Sequence, residues 1–193
     1  MRLIITRHRE TEENKKGILQ GHLQGVLSSL GKEQAKKLAD RLKDEKIDLI
    51  ISSDLDRALD TAKTTVKFHP DARLVTNRKL RERSLGDFQG KTKAEFIIPE
   101  NMSRSDYFNS GNAENDEQVF ERAKDLLKEI LKQPEESILL VGHNRICKSI
   151  IGNLKDVEDQ RNLKDLDNVS ISEYSFDGKE WEEIKFNCTR HLK

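Results

Sequence analysis

The chain has 193 residues, and its 35 basic and 35 acidic residues cancel to a formal net charge of zero. This balance provides no overall field that would favour nucleic acid or an anionic membrane, so neither is expected as a partner. The length suits one domain spanning residues 1–193 with its own hydrophobic core. Met1 and Arg2 precede only a short apolar run, too brief for a signal peptide or a membrane span, and we expect a cytoplasmic protein.

Strands and helices are predicted to alternate in the first part of the chain. Short apolar runs at residues 3–5, 47–51 and 73–76 predict strands. Between them, residues 31–46 and 55–68 carry apolar side chains at three- and four-residue spacing, which predicts amphipathic helices. Such alternation is typical of a parallel sheet that helices cover on both faces.

The second part of the chain continues this pattern after a long loop. Residues 99–116, rich in Asn, Ser, Asp and Gly, predict a mobile loop of a length often found in lids. A helix over 117–132, a strand over 138–141, a helix after Asn144 and a hairpin over 169–186 follow. The expected fold class is therefore α/β, a three-layer α/β/α sandwich whose mostly parallel central sheet has an antiparallel C-terminal edge.

Two histidines stand directly behind predicted strands. His8, preceded by Arg7, follows the first apolar run, and His143 follows the run at 138–141. Ligands in open α/β folds gather at the carboxyl ends of strands, where a guanidinium fork beside an imidazole offers a phosphate clamp next to a nucleophile. The two histidines therefore predict a site for phosphate chemistry.

Five separated segments together carry a more specific signal. They are, in chain order, residues 6–14 (TRHRETEEN), 20–22 (QGH), 52–58 (SSDLDRA), 80–86 (LRERSLG) and 142–143 (GH). In order and spacing they resemble the histidine phosphatase superfamily, also called phosphoglycerate mutase-like, in its branch one and broad-specificity phosphatase type. The resemblance extends to about residue 153. It implies a phosphomonoester hydrolase that acts on small molecules through a phosphohistidine, without metal or another cofactor.

The resemblance implies a catalytic role for five residues. His8 attacks phosphorus, Arg7 and Arg57 clamp the phosphoryl oxygens, and His143 donates a hydrogen bond to them. Glu82 protonates the leaving alcohol and then serves as base for the hydrolytic water. A neutral imidazole is a competent nucleophile near pH 7, so His8 is expected to be unprotonated at the attacking nitrogen.

The same resemblance places further residues at the phosphate-binding pocket. Besides Arg7, Arg57 and His143, they are Asn14, Gln20, Gly21 and Asn144. Asn14 would supply an amide donor to the phosphoryl oxygens, and Gln20 and Gly21 would line the substrate entrance. No set of residues with metal-ligand spacing can be assembled, so no metal site is expected.

Two positions depart from the family pattern. Arg9 and Asn144 stand where the family usually has glycine, the residue favoured at positive φ or at close backbone approach to a ligand. Arg9 implies either an ordinary backbone or a remodelled loop, and its charge could reach the pocket rim. Asn144 is a milder change because Asn tolerates left-handed geometry. Arg145 either lies near the phosphate, favouring substrates with several anionic groups, or is a solvated residue at a helix start.

Two alternatives to hydrolysis remain open. The Glu82-Arg83 pair is similar to a pair in phosphoglycerate mutases of this family, although these usually carry an additional basic insertion and residues 90–117 form a short segment here. The second alternative is a phosphate-binding protein that has lost efficient catalysis because Arg9 replaces the usual glycine. The exposed edge of the C-terminal hairpin permits a homodimer without requiring one.

Overall fold

A six-stranded sheet organises the part of the chain that the computed structural model describes, residues 1–157, 159 and 162–193. Its strands are β1 (Arg2–Arg7), β2 (Leu49–Ser52), β3 (Arg73–Thr76), β4 (Ser137–Gly142), β5 (Ile171–Phe176) and β6 (Trp181–Cys188). The strand order is β3-β2-β4-β1-β5-β6, with the first four strands parallel and the last two antiparallel. The predicted mixed sheet with an antiparallel C-terminal edge is confirmed.

Helices cover both faces of this sheet. They are α1 (Glu12–Lys15), α2 (Ser29–Leu42), α3 (Asp56–Val66), α4 (Arg104–Ser110), α5 (Asp116–Ile130) and α6 (Asn144–Leu154). Successive residues of β4 point to opposite faces: Leu140 packs with α5 and α6, whereas Leu139 packs with α2 and α3. The two apolar clusters lie on opposite faces of the sheet. Helices, sheet and helices thus form the three layers that the sequence predicts.

Strand register brings three strand ends to one edge. The last residues of β1 and β4 are paired, Arg7 with Gly142, and Ser52 at the end of β2 is paired with Val141. Because these strands are parallel, the segments that follow them leave the sheet side by side. The residues directly behind the three strands are therefore neighbours in space.

The prediction of a loop throughout residues 99–116 is wrong, because this segment contains α4. The Ser103 hydroxyl accepts a hydrogen bond from the backbone N–H of Asp106 and so caps the helix. Phe108 on this helix is 2% exposed and packs with the aromatic rings of Phe88 and Phe96. Polar residues dominate the composition of the segment, but burial of these few rings stabilises a helix within it.

Helix boundaries differ from the prediction by only a few residues. α2 begins at Ser29 because the side chain of Ser28 accepts from the backbone N–H of Gly31. α5 begins at Asp116, behind a capping box in which Asn115 and Gln118 satisfy each other's backbone N–H groups.

Within the described residues, no helix has the length and apolar character needed to cross a membrane.

Candidate active site

A cavity of about 460 Å³ lies where β1, β2 and β4 end. Of the residues predicted for the site, those on its wall are Arg7, His8, Asn14, Gln20, Gly21, Arg57, Glu82 and Asn144. His143 is fully buried and contacts His8, with 4.9 Å between the ring centroids. The structure thus brings all the predicted residues together, with His143 packed against His8.

His8 has a defined tautomer. The side chain is 2% exposed, and its Nδ1 lies 2.6 Å from the carbonyl oxygen of Arg9. Because a carbonyl only accepts, Nδ1 carries the proton and Nε2 keeps its lone pair. Burial, together with the positive charges of Arg57 and Arg7, lowers the pKa of His8 well below its usual 6.5. The imidazole is therefore neutral at pH 7 and has one basic nitrogen unoccupied.

His143 immediately precedes α6, and its two ring nitrogens are available for hydrogen bonding. It is 0% exposed, and neither ring nitrogen has a hydrogen-bond partner among the described residues. Burial first, and the charge of Arg57 second, lower the pKa of His143 well below the usual value. A neutral imidazole always carries one N–H, so this side chain can donate a hydrogen bond beside His8.

Arg57 is a buried cation held by backbone carbonyls. It lies in the first turn of α3, is 1% exposed, and donates to the carbonyl oxygens of Leu23 and Gly21, both at 2.8 Å. Burial lowers its pKa to about 10, which leaves it charged at neutral pH. Carbonyl oxygens fix the guanidinium but carry no net charge, so its positive charge remains available to an anion.

Arg7 is also held by a backbone carbonyl. Its Nη1 donates to the carbonyl oxygen of Leu166 at 2.6 Å. Burial lowers the pKa of Arg7, and the carboxylate of Glu82 acts in the opposite direction. Arg7 and Arg57 therefore form a pair of cations on the wall that also carries His8.

Glu82 is positioned by two backbone amides. Its Oε1 accepts from the N–H of Arg83 at 2.9 Å and from the N–H of Arg145 at 3.1 Å. The carboxylate also interacts electrostatically with Arg7 and Arg57. The N–H of Arg145 belongs to the first turn of α6, where a negative charge is favoured. Glu82 is thus a fixed carboxyl group beside the two cations.

Asn14 and Gln20 are connected through the same threonine. Asn14 Oδ1 accepts from the backbone N–H of Thr11, which completes the capping box of α1. Gln20 is 6% exposed and donates from Nε2 to Thr11 Oγ1 at 2.7 Å and to Glu13 Oε2 at 2.9 Å. Because the side-chain amide of Gln20 already donates to Thr11 and Glu13, this residue holds the cavity wall in shape.

Gly21 and Asn144 also hold neighbouring segments in place. Gly21 has φ of +52°, and a Cβ at this position would lie 2.4 Å from Gln89 Oε1. Its carbonyl is one of the two that hold Arg57. A side chain at Gly21 would therefore disturb the carbonyl contact that holds Arg57.

Asn144 begins α6, and its Oδ1 accepts from the N–H of Leu166 at 2.9 Å.

The side chain of Arg9 packs against α3, and the expectation that its charge reaches the pocket rim is wrong. Arg9 is 7% exposed, its Nη2 lies 3.5 Å from Asp60 Oδ2, and its N–H donates to Thr61 Oγ1. Neither Arg9 nor Asn144 has a positive φ. The backbone after His8 is ordinary and accepts a side chain without strain.

Arg145 does line the cavity, as the first of its two sequence-based alternatives requires.

Sequence reasoning missed the segment that leads into β5. Asn168 lines the cavity, and its Nδ2 donates to the carbonyl oxygen of His8 at 2.7 Å. The next N–H, that of Val169, donates to the carbonyl oxygen of Arg7 at 3.0 Å. Val169 has φ of +52°, a costly conformation for a β-branched residue. No periodicity or motif in the sequence marks this segment, because its role depends on contacts with residues 160 positions away.

Comparison with known proteins places this chain in a family. The model of the histidine phosphatase superfamily (branch 1) matches residues 3–189. Phosphoglycerate mutase-like protein 4 of Arabidopsis thaliana is 32% identical over 201 residues, which cover 99% of this chain and 86% of that protein.

Solved structures agree in fold over the whole chain. A mycobacterial glucosyl-3-phosphoglycerate phosphatase in complex with VO3 has a TM-score of 0.84 and 27% identity, covering 97% of this chain and 99% of its own. The phosphoserine phosphatase of Entamoeba histolytica, in complex with 3-phosphoglyceric acid, has a TM-score of 0.84 and 28% identity, covering 100% and 99%. The chain belongs to branch 1 of the histidine phosphatase superfamily.

Proposed function

We propose that this protein hydrolyses small phosphomonoesters through a phosphohistidine formed on His8. The observation that carries the proposal is the neutral, buried imidazole of His8, which has a free Nε2 and shares a cavity wall with Arg7 and Arg57. The chain's membership of the family, and the phosphatase names of structures similar to it, support the same reaction. A cavity of about 460 Å³ suits a small substrate.

In the first step His8 displaces the alcohol. The Nε2 lone pair forms a bond to phosphorus while the bond from phosphorus to the ester oxygen breaks, and Glu82 donates a proton to that oxygen. Arg7 and Arg57 neutralise the charge on the phosphoryl oxygens as the transition state forms, and the N–H of His143 stabilises one of them. Guanidinium groups supply the positive charge in this proposal, so no metal ion is required.

In the second step water removes the phosphoryl group. Glu82, now ionised, accepts a proton from water as the water oxygen attacks phosphorus. The bond from phosphorus to Nε2 breaks and the electron pair returns to His8. Inorganic phosphate leaves, with Glu82 protonated and His8 neutral as at the start.

Replacement of His8 tests the proposed nucleophile. With a chelator present and a chromogenic aryl phosphate or a panel of natural phosphomonoesters as substrate, we expect wild-type turnover and a loss on the order of 10³-fold or more in His8→Ala. His69→Ala, which lies behind the C-terminal end of α3 and outside the cavity wall, is the matched control and should keep its activity. Equal phosphate release by wild type and His8→Ala would disprove the phosphohistidine route, and transfer to an added alcohol in place of water would indicate a mutase-type enzyme.

The role of Glu82 as proton donor predicts a dependence on the leaving group. A nitrophenolate leaves without protonation, whereas an alkoxide requires a proton. In Glu82→Gln we therefore expect kcat/KM, which reports the first chemical step, to fall by about 10²- to 10⁴-fold for alkyl phosphates and far less for 4-nitrophenyl phosphate. A loss of equal size for both substrates would show that Glu82 is not the proton donor.

The contact between Asn168 and the His8 carbonyl predicts a role in orientation. Removing it in Asn168→Ala should lower kcat by about 5- to 30-fold, the equivalent of the ~1–2 kcal/mol of one buried hydrogen bond, with little change in KM. Asn101→Ala, an exposed Asn, is the control. An unchanged kcat in a variant that has lost thermal stability would mean that Asn168 only stabilises the fold.

The neutral state of the two histidines predicts how stability depends on pH. Since burial lowers the pKa values of His8 and His143 in the folded protein, the unfolded chain binds more protons below pH ~6.5. The contribution of these two histidines to the free energy of unfolding should level off above this pH and fall below it, by up to about 1.4 kcal/mol per pH unit for each histidine. Denaturant unfolding between pH 5 and 7.5 should give a shallower dependence in His143→Gln. Identical slopes for both proteins would contradict a neutral His143.

A further inference from the structure

Glu82 lies on a segment that the sheet does not position. His8 and His143 directly follow β1 and β4, whereas Glu82 follows a single 3₁₀ turn, and residues 82–85 have no regular secondary structure. Contacts with other elements must therefore fix the backbone of this segment. Since a proton donor has to lie within hydrogen-bonding reach of the ester oxygen, these contacts bear on the proposed reaction.

Arg122 on α5 holds this segment by its backbone carbonyls. Its Nη1 donates to the carbonyl oxygens of Lys79 and Arg81, both at 2.8 Å, and its Nη2 donates to that of Glu82 at 3.4 Å. The next residue of α5, Ala123, is fully buried in the main core. The guanidinium of Arg122 thus connects the Glu82 segment to a helix whose position the core fixes.

Glu114 accepts from the remaining donors of Arg122 and holds the segment on the other side of Glu82. Its Oε1 accepts from Arg122 Nε at 2.9 Å, and its Oε2 accepts from Arg122 Nη2 at 2.8 Å. Its Oε2 also accepts from the N–H of Ser84 at 2.7 Å, and its own N–H donates to the carbonyl oxygen of Ser84 at 2.9 Å. The Arg122–Glu114 pair therefore holds the backbone before and after Glu82.

All five N–H donors of the Arg122 guanidinium have an acceptor. Nε donates to one carboxylate oxygen, Nη1 to two carbonyls, and Nη2 to one carbonyl and the other carboxylate oxygen. The donors of a guanidinium lie in one plane with fixed directions, so their acceptors have fixed relative positions. Because the carboxylate of Glu114 balances the charge of Arg122, we attribute the effect of Arg122 on the segment to geometry.

We propose that Arg122, held by Glu114, is a positioning residue that keeps the carboxyl group of Glu82 within reach of the ester oxygen. Neither Arg122 nor Glu114 belongs to the cavity wall, so both act through the backbone of the Glu82 segment. This inference rests on the proposed function, because it concerns the proton donor of that reaction.

The leaving group reports whether Glu82 has moved. In Arg122→Met, which keeps an unbranched side chain, we expect kcat/KM to fall by about 10- to 100-fold for alkyl phosphates and by less than about threefold for 4-nitrophenyl phosphate. Arg122→Lys should show the same dependence, because one ammonium nitrogen cannot reach all five acceptors. Lys124→Met, which removes an exposed cation from the same helix, should leave both values unchanged. Equal losses for both substrates in Arg122→Met would overturn the inference.

A double-mutant cycle tests whether Arg122 acts through Glu82. In Glu82→Gln the proton donor is already absent, so adding Arg122→Met should change kcat/KM for alkyl phosphates by less than about threefold. If the two losses multiplied, Arg122 would act independently of Glu82 and the inference would be wrong. Glu114→Gln, which keeps the size of the side chain and one carbonyl acceptor, should give a smaller loss with the same leaving-group dependence. This variant serves if Arg122→Met does not fold.

Hydrogen exchange separates failure of the inference from failure of the proposed function. The N–H groups of Arg83 and Ser84 donate to the carboxylates of Glu82 and Glu114. In Arg122→Met both should exchange faster by about tenfold or more, while the N–H groups of β1 keep their wild-type rates. Unchanged exchange at Arg83 and Ser84 would refute the inference whether or not wild type hydrolyses a phosphomonoester. Faster exchange in a protein whose wild type has no turnover would refute the proposed function and support the control of this segment by Arg122.

Discussion

Burial of the cations Arg7 and Arg57, which form no ion pair within the described part of the chain, is the constraint on which the site depends. Arg57 is almost completely buried, and its guanidinium donates hydrogen bonds to the carbonyl oxygens of Gly21 and Leu23. Arg7 donates to the carbonyl oxygen of Leu166. A buried cation is costly unless dipoles or counter-charges surround it. The carbonyl groups offset part of this cost, and an anion entering the cavity would offset more.

Burial and the same charges determine the protonation state of the imidazole of His8. Burial disfavours a proton on His8 most strongly, and the charges of Arg57 and Arg7 act in the same direction. The carbonyl of Arg9 then decides which nitrogen carries the remaining proton. An imidazole with a free lone pair therefore requires no separate base here, because burial and the surrounding positive charge keep it neutral. Its backbone is fixed by Asn168, next to the strained Val169.

Much of the fold could be predicted because local signals and the global fold agree. The run at 73–76 coincides with β3, and the predicted helices fall within a few residues of the observed ones. His8 and His143 meet because parallel strands bring their carboxyl ends together. α4 was missed because the polar composition of its segment concealed buried rings such as Phe108. The side-chain direction of Arg9 depends on α3, which no local pattern reveals.

The residues in and around the cavity come from two parts of the fold. His8 and His143 directly follow β1 and β4 of a sheet packed on both faces, and Arg57 lies at the start of α3 behind β2, so their positions are fixed by the core. Arg104 and Phe108, by contrast, belong to α4, a short helix whose rings pack in a separate small cluster away from the main core.

Because the guanidinium of Arg83 stacks on Phe108, a change in α4 would alter this wall of the cavity without moving His8. One sheet edge can thus be combined with different inserted walls. In this chain the wall carries the guanidinium groups of Arg83 and Arg104 on the ring of Phe108, so its charge is positioned by a segment outside the main core.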